Sequence, residues 1–168
     1  LHDGGFSGAA FDTVEGDLHL KNGIIDVKTL RAWRSINGQT YEASAKGVVP
    51  LRALTAKDAS ELDDYERMKL LLSLDRADLS LLPTLSKQVE WAMGATNGEV
   101  EITGTLAHPL ADGHIVVPDG AMKLKPLEVP ITSMVMRIDF HNNVMTVREF
   151  SGRMGEGSYE ASGSITMD

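Results

Sequence analysis

Several features are scarce in this 168-residue chain, and each scarcity excludes a class of protein. There is no cysteine, which excludes disulfide staples and thiolate metal sites. Aromatic residues make up only 5% of the chain, although 42% of it is hydrophobic. The apolar material is therefore mostly aliphatic, with eight methionines. Such a chain can bury a sizeable apolar face that consists of aliphatic side chains and flexible methionines.

Positive charge is also scarce. Sixteen Lys and Arg stand against 24 Asp and Glu, for a net charge of −8. This balance argues against a nucleic-acid partner and against docking on an anionic membrane surface. No apolar run approaches the ~20 residues of a membrane-spanning helix. The chain shows no signal peptide and begins with Leu1 rather than Met, so we expect residues 1–168 to be a single fragment of a longer protein.

Alternation of apolar and polar residues is the dominant pattern. From Met134 to Phe140, every second residue is apolar, while Arg137 and Asp139 fall between them. The same period recurs in Glu99–Leu106 and Tyr159–Met167. Alternation of this kind predicts antiparallel strands with one apolar and one solvated face. About ten such strands are predicted, separated by turn-forming pairs at Asn22–Gly23, Asn37–Gly38, Asn97–Gly98, Asp112–Gly113, Asp119–Gly120 and Asn142–Asn143.

Two stretches depart from this alternation. The polar, acidic range Arg52–Arg67 predicts a surface connection. In Ala77–Gly94, Leu81, Leu85 and Val89 recur at helical spacing, and the final glycine is a typical helix stop. The sequence therefore predicts one short amphipathic helix packed on an otherwise all-β fold.

The tetrapeptide Tyr-Glu-Ala-Ser occurs twice, at Tyr41–Ser44 and Tyr159–Ser162. Around it, residues 17–47 align with residues 137–164 once two residues are removed near the second turn. Each copy then consists of a strand, a tight turn, a long strand, a glycine turn and a strand. A hairpin meander is self-similar by nature, but the identical tetrapeptide favours a true internal repeat.

An ordered set of motifs resembles a known family. Gly104-Thr105-Leu106 is followed by Pro109, then by the strand Gly113–Val117, the hairpin around Asn142-Asn143 and the closing Gly155–Ile165. This order resembles the repeating β-module of the TamB (translocation and assembly module) family, within the AsmA-like and bridge-like lipid-transfer proteins. The resemblance covers essentially residues 12–167 and rests on the order of the motifs rather than on any one of them.

The resemblance implies a long sheet curled into a taco-like hydrophobic groove, within a parent protein anchored in the inner membrane and extending through the periplasm. The implied roles are phospholipid transport toward the outer membrane and assembly or secretion of outer-membrane proteins. The implied partners are phospholipid acyl chains or nascent outer-membrane β-strands, and a BamA-type outer-membrane protein (TamA) that the parent chain would contact.

The alternation independently predicts a one-sided sheet whose apolar face must be covered. Small residues and methionines at inward positions leave adaptable space, which suits a groove for acyl chains. A closed β-sandwich acting as a binding or adhesion domain is the alternative. The side chains expected to form the floor of the groove are Leu72, Leu74, Val100, Ile102, Ile115, Val117, Met122, Leu124, Met134, Met136, Ile138, Phe140, Ile165 and Met167.

Catalytic and metal-binding motifs are not visible. His108 and His114 are six residues apart, a spacing that matches no common metal-ligand motif. No Gly-x-Ser-x-Gly elbow and no glycine-rich phosphate loop is present. We therefore expect no enzyme activity, no catalytic residue, no metal and no cofactor. Unpaired edge strands at the ends of such a sheet predict strand addition, and self-association in an isolated piece.

Overall fold

The computed structural model of the chain describes residues 5–6, 9–10, 12–36, 38–52, 67–81, 83, 87–105 and 108–166. Nearly all of them lie in strands. The elements are β1 (Gly5–Phe6), β2 (Ala9–Ala10), β3 (Thr13–Lys21), β4 (Ile24–Ile36), β5 (Gln39–Pro50), β6 (Lys69–Asp78), a 3-10 turn (Leu79–Leu81), β7 (Val89–Gly104), β8 (Pro109–Leu124), β9 (Ile131–His141), β10 (Val144–Met154) and β11 (Gly157–Thr166).

A single open, curved sheet contains the nine strands from β3 to β11. Its strand order follows the chain without a crossover, and every neighbouring pair is antiparallel. The short strands β1 and β2 pair only with each other within the described part of the chain. The predicted all-β, curved, mainly antiparallel sheet is confirmed. The two facing sheets of the alternative sandwich do not form among the described residues.

Three of the predicted turns join adjacent strands. Asn22 and Gly23 have φ values of 52° and 75° between β3 and β4. Positive φ at both central residues is the mark of the tight turn that matches the twist of a hairpin. Asn142, with φ 56°, turns the chain between β9 and β10, and Gly38, with φ 77°, turns it between β4 and β5. At these three places asparagine and glycine do what the sequence predicts.

The other three predicted turns are wrong. Asn97–Gly98 lies inside β7, while Asp112–Gly113 and Asp119–Gly120 lie inside β8. A Cβ atom on Gly98 would lie 2.2 Å from the carbonyl oxygen of His114, and one on Gly113 would lie 2.1 Å from that of Glu99. Their φ values of 155° and 143° are also ones that side-chain-bearing residues rarely adopt. Glycine here bends a long strand instead of ending it, which curves the sheet.

The predicted amphipathic helix does not form over most of its range, in which Pro83 is the one described α-helical residue. Of the range Ala77–Gly94, the first two residues end β6, Leu79–Leu81 form one 3-10 turn, and Val89–Gly94 open β7. Leu85 lies outside the described residues, so its predicted helical position has no counterpart here. Val89 instead pairs with Leu124 across β7 and β8. Strand pairing has therefore overridden the helical spacing. The predicted connection Arg52–Arg67 lies outside the described residues except at its two ends.

The two ranges of the predicted repeat have the same order of elements. Residues 17–47 run through β3, β4 and β5, and residues 137–164 run through β9, β10 and β11. β4 has an irregularity between Val27 and Leu30, and β10 has one between Val147 and Phe150. Each long strand thus has a bulge at the same place in its copy. The duplication itself stays a prediction.

Close packing is concentrated at one end of the central strands, where β7 begins, β8 ends and β9 begins. We call the cluster of buried residues there the packed end, and it consists of Leu79, Ala92, Val117, Met122, Ile131 and Met134. Val117 and Met134 are fully inaccessible to solvent. Leu79 of the 3-10 turn lies on the sheet at this end, with its Cδ1 atom near the backbone of Gly94 and Gly120. The 3-10 turn therefore covers the apolar face of the sheet at the packed end and shields it from water.

Candidate functional site: the apolar face of the sheet

The register shows which residues share a face, because directly opposed residues in an antiparallel sheet point the same way. One row across four strands runs from Leu72 to Val100, Gly113 and Phe140. The next runs from Leu74 to Gly98, Ile115 and Ile138. Because residues of both rows are apolar or glycine, one side of β6 to β9 is continuously apolar.

Thirteen of the fourteen predicted floor residues lie in described strands, and Met167 lies outside the described residues. Their strands are β6 for Leu72 and Leu74, β7 for Val100 and Ile102, β8 for Ile115, Val117, Met122 and Leu124, β9 for Met134, Met136, Ile138 and Phe140, and β11 for Ile165.

Twelve of these residues fall into two groups, the second of which also includes Leu70, and the thirteenth, Ile165 on β11, is 56% exposed. Val117, Met122 and Met134 belong to the packed end, with Leu124 and Met136 half-buried beside it. A second group, which we call the open floor, lies on the same face beyond the packed end. It consists of Leu70, Leu72, Leu74, Val100, Ile102, Ile115, Ile138 and Phe140, and all of these except Val100 are half-buried. The structure thus offers the open floor, rather than the packed end, as the surface that a ligand could reach.

The apolar face continues on strands for which the sequence predicted no floor residue. On β3 and β4, Leu18 pairs with Val27 and Leu20 with Ile25. Leu18 is 52% exposed and Leu20 is 62% exposed. In β3 the alternation of apolar and polar residues indicates the apolar face, but in β4 the bulge after Val27 interrupts this alternation. Sequence alternation alone therefore loses the face at that point.

Two strands carry alanine and glycine on this face, and we call the shallow strips that they form the low lanes. On β5, Ala45 lies between Leu30 and Leu72, and Gly47 lies between Val27 and Leu70. On β11, Ala161 lies beside Phe150 and Gly163 beside Val147. A Cβ atom on Gly163 would meet nothing within 4 Å. The lane on β5 leaves space between two ridges of larger side chains, and the lane on β11 leaves space beside one ridge at the edge of the sheet.

The opposite face is charged and solvated. Arg31 of β4 donates to both carboxylate oxygens of Glu42 of β5, at 2.8 and 3.0 Å. This contact lowers the pKa of the Glu42 carboxyl, chiefly through the hydrogen bond from the guanidinium. Further cross-strand pairs join Lys69 to Glu101 at 2.7 Å and Arg148 to Asp139 at 2.7 Å. Such pairs add little stability individually, but they show that this face is adapted to water.

An ion pair fixes the 3-10 turn beside the packed end. The carboxylate of Asp78 lies 3.1 Å from Nη1 of Arg34, and its other oxygen accepts a hydrogen bond from the Ser80 N–H at 2.9 Å. The same Arg34 nitrogen donates to Ser80 Oγ at 3.1 Å. The Asp78 side chain is only 10% exposed. These contacts hold the turn that positions Leu79, so the packed end depends on a polar clamp.

Tyr159 covers the sheet on the β10 and β11 side of the packed end. Its ring centroid lies 5.1 Å from that of Phe150, and its hydroxyl donates to the carbonyl of Ser151 at 3.1 Å. Burial raises the pKa of Tyr159. The ring lies over Gly152, where a Cβ atom would come within 2.8 Å of the hydroxyl oxygen. The first tyrosine of the predicted second repeat copy is thus directed inward, as the alternation predicts.

Clusters suited to chemistry are not found in the described part of the chain. No group of three or more His, Asp or Glu side chains is placed to hold a metal ion there. Among the same residues, no helix is long and apolar enough to cross a membrane. A scan against protein-family models, a search of curated proteins and a search of solved structures each found no match to this chain.

Proposed function

We propose that this chain is a segment of an open apolar trough that shelters the acyl chains of phospholipids while their head groups stay in water. The observation that supports the proposal is the open floor. It is a continuous apolar face on β6 to β9 that no other described strand covers. Its side chains, Val100 excepted, are only half-buried, and a contiguous apolar patch that stays accessible is either functional or an aggregation liability.

The energetics favour a chain-like ligand. Each CH₂ group kept from water contributes about 0.8 kcal/mol, so a single acyl chain gains substantially from lying on such a floor. Nine strands at about 4.8 Å spacing give a trough about 40 Å long. Because the apolar rows cross successive strands, an acyl chain can shift along the trough while it stays out of water. The low lanes on β5 and β11 add room for its width.

A finer version of the proposal rests on the motif order that resembles the TamB family. In that version the chain is part of an inner-membrane-anchored, periplasmic protein that bridges toward a BamA-type outer-membrane partner (TamA). Its cargo is phospholipid moving to the outer membrane, and nascent outer-membrane β-strands are a second cargo of the same surface. The support for it is the ordered set of motifs from Gly104 to Ile165.

Photo-crosslinking tests the trough directly. A photoreactive residue at Ile102 or Ile138 lies on the open floor, because Ile102 pairs with Leu70 and Ala111 and Ile138 pairs with Ile115. Matched controls at Glu101 and Arg137 lie one residue away on the solvated face. The proposal expects phospholipid adducts in bacterial cells at the first two positions and none at the controls. Adducts at none of the four positions in a folded chain would favour a domain with loop-based binding instead.

A charge placed on the floor gives a second test. Ile138→Arg is expected to abolish lipid adducts formed by a probe at Ile102, because an unpaired guanidinium would lie among acyl chains. Arg137→Glu reverses the charge of the neighbouring residue on β9. Because this side chain is directed to water, lipid adducts are expected to remain. Equal adduct yields from the two variants would exclude the apolar face as the lipid site.

A further inference from the structure

The edge strand β3 presents an unpaired backbone and exposed side chains on both faces. It pairs only with β4, so its other side has no partner among the described residues. Its last seven residues, from Glu15 to Lys21, are all exposed. Leu18 and Leu20 are 52% and 62% exposed on the apolar face. Unprotected edges of this kind template pairing with another strand, and two exposed leucines make such pairing favourable.

The charges of β3 are ordered along its solvated face. Glu15, Asp17, His19 and Lys21 succeed one another at every second residue. The first two are acidic, and the last is basic. Glu15 lies opposite Arg31 of β4 and attracts its charge, while Asp17 contacts His19 of its own strand at 3.1 Å. Read in the opposite direction, this series is complementary to itself.

We propose that β3 is a homodimerisation edge that pairs antiparallel with β3 of a second copy, on a two-fold axis at Leu18. In this register Glu15 faces Lys21 of the second copy, and Asp17 faces its His19. Each pair occurs twice because of the symmetry. On the other face Leu18 meets its own counterpart, and Leu20 covers Gly16 of the second copy. Both exposed leucines thereby gain a neighbour from the second copy on the side where β3 has no partner strand.

Neighbouring registers are less favourable. A two-fold axis at Asp17 would place that carboxylate against itself, and an axis at His19 would place two imidazoles together. Both would oppose like groups directly across the junction, which destabilises strand pairing. Shifts by one residue would place the apolar face of one copy beside the charged face of the other. The axis at Leu18 therefore gives the best match of both charge and polarity.

The other edge strand, β11, has no comparable series of charged residues. Glu160 is the one charged residue of β11, and its remaining solvated positions are serine and threonine. Pairing there would have no electrostatic preference for one register. Because like faces are opposed at β3, the junction keeps both apolar faces on the same side. The dimer is thus one sheet with the strands of both copies and a trough of twice the length, whatever ligand the trough holds.

Sedimentation of charge variants tests the proposal. Wild type is expected to reach a two-copy mass as concentration rises. Glu15→Lys and Lys21→Glu each convert two attractive pairs into two repulsive ones, so each variant is expected to raise the dimer Kd about tenfold. A mixture of the two variants restores opposite charges across the junction, as does the double variant, so both are expected to recover near wild-type association. Recovery also shows that the single variants fold.

Each alternative outcome overturns the proposal. Wild type that sediments as one copy up to its solubility limit excludes the dimer. A dimer that both single variants leave unchanged lies at another surface. Weakening by both variants without recovery in the mixture means that the pairs do not face each other, and circular dichroism of each variant separates this result from misfolding.

A disulfide tests the register, because the chain has no cysteine of its own. Leu18→Cys lies on the proposed axis, where its counterpart comes within bonding reach, so an oxidised dimer is expected. Leu20→Cys would be separated from its counterpart by four residues, about 13 Å along the strand, which is beyond the Cα separation of about 7 Å that a disulfide spans. Equal crosslinking of both variants would overturn the register.

Discussion

The packed end and the open floor lie on the same face of the same sheet and are built from the same kinds of residue. Val117 and Met134 at the packed end are fully inaccessible, whereas Leu72 and Ile102 of the open floor are only half-buried. The difference comes from the 3-10 turn at Leu79, which packs over one end of the sheet and not over the rest. Alternation therefore determines the direction of a side chain, but a covering element determines whether it is buried.

The largest expected effect contrasts the two regions by truncation. Met134→Ala leaves a cavity in close packing and is expected to lower the free energy of unfolding by about 3 kcal/mol. Leu72→Ala removes a half-exposed side chain and is expected to cost about 1 kcal/mol. Urea denaturation of both variants measures the difference. Equal losses would mean that the open floor is covered as tightly as the packed end.

The next effect concerns the glycine that bends the floor. Gly113→Ala is expected to cost about 2 kcal/mol, since its Cβ would collide with the Glu99 carbonyl at a φ that alanine disfavours. Gly163→Ala on β11 meets nothing within 4 Å and serves as the control. Thermal unfolding of the pair measures this cost. A tolerated Gly113→Ala would show that curvature of the floor does not need glycine there.

A smaller effect is expected from a buried hydroxyl at the boundary of the packed end. Thr96 is 6% exposed, pairs with Ala77, and its Oγ1 has no hydrogen-bond partner among the described residues. Thr96→Val is therefore expected to raise the free energy of unfolding by about 1 kcal/mol. Thr146→Val, which loses an exposed contact to Ser164, should bring no gain. Destabilisation by Thr96→Val would indicate a bound water or ligand at that hydroxyl.

The smallest effect lies on the solvated face behind the floor. The hydrogen bond from Arg31 lowers the pKa of Glu42 below its ordinary 4.5, so the ionised carboxylate stabilises the fold. That contribution is complete above about pH 4.5 and is lost as pH falls through the lower, folded pKa. The stability of wild type relative to Glu42→Gln should therefore shrink on acidification below pH 4.5. A difference that stays constant from pH 7 to pH 3 would mean that the ion pair contributes nothing.

Much of the sheet could be predicted from local signals. Alternation identified the apolar face of β9, and Asn22–Gly23 marked a hairpin, because both depend on residues adjacent in the chain. The shared face of the predicted residues on β6 to β9 followed from the same alternation, while their role as a ligand floor stays a prediction. These predictions succeed where backbone geometry and sequence period agree over one strand.

Other features depend on partners that the sequence does not display. The glycines at positions 98 and 113 bend strands because of the carbonyls that face them from the neighbouring strand. Val89 joins a strand because Leu124 is available to pair with it, so its helical spacing to Leu81 is misleading. The division into a packed end and an open floor depends on Leu79, whose position follows from a clamp between Arg34 and Asp78.

The strand order of the sheet follows the chain without a crossover, and this has a consequence for how the molecule forms and opens. Each strand needs only its predecessor in order to pair, so loop closure is inexpensive and folding can proceed like a zipper from one hairpin. Opening should run in reverse from the ends, as in proteins built of stacked repeats. Amide protons of β3 and β11 should exchange first and those of β8 last. The same property allows the sheet to be lengthened or shortened by whole hairpins without a change in its architecture.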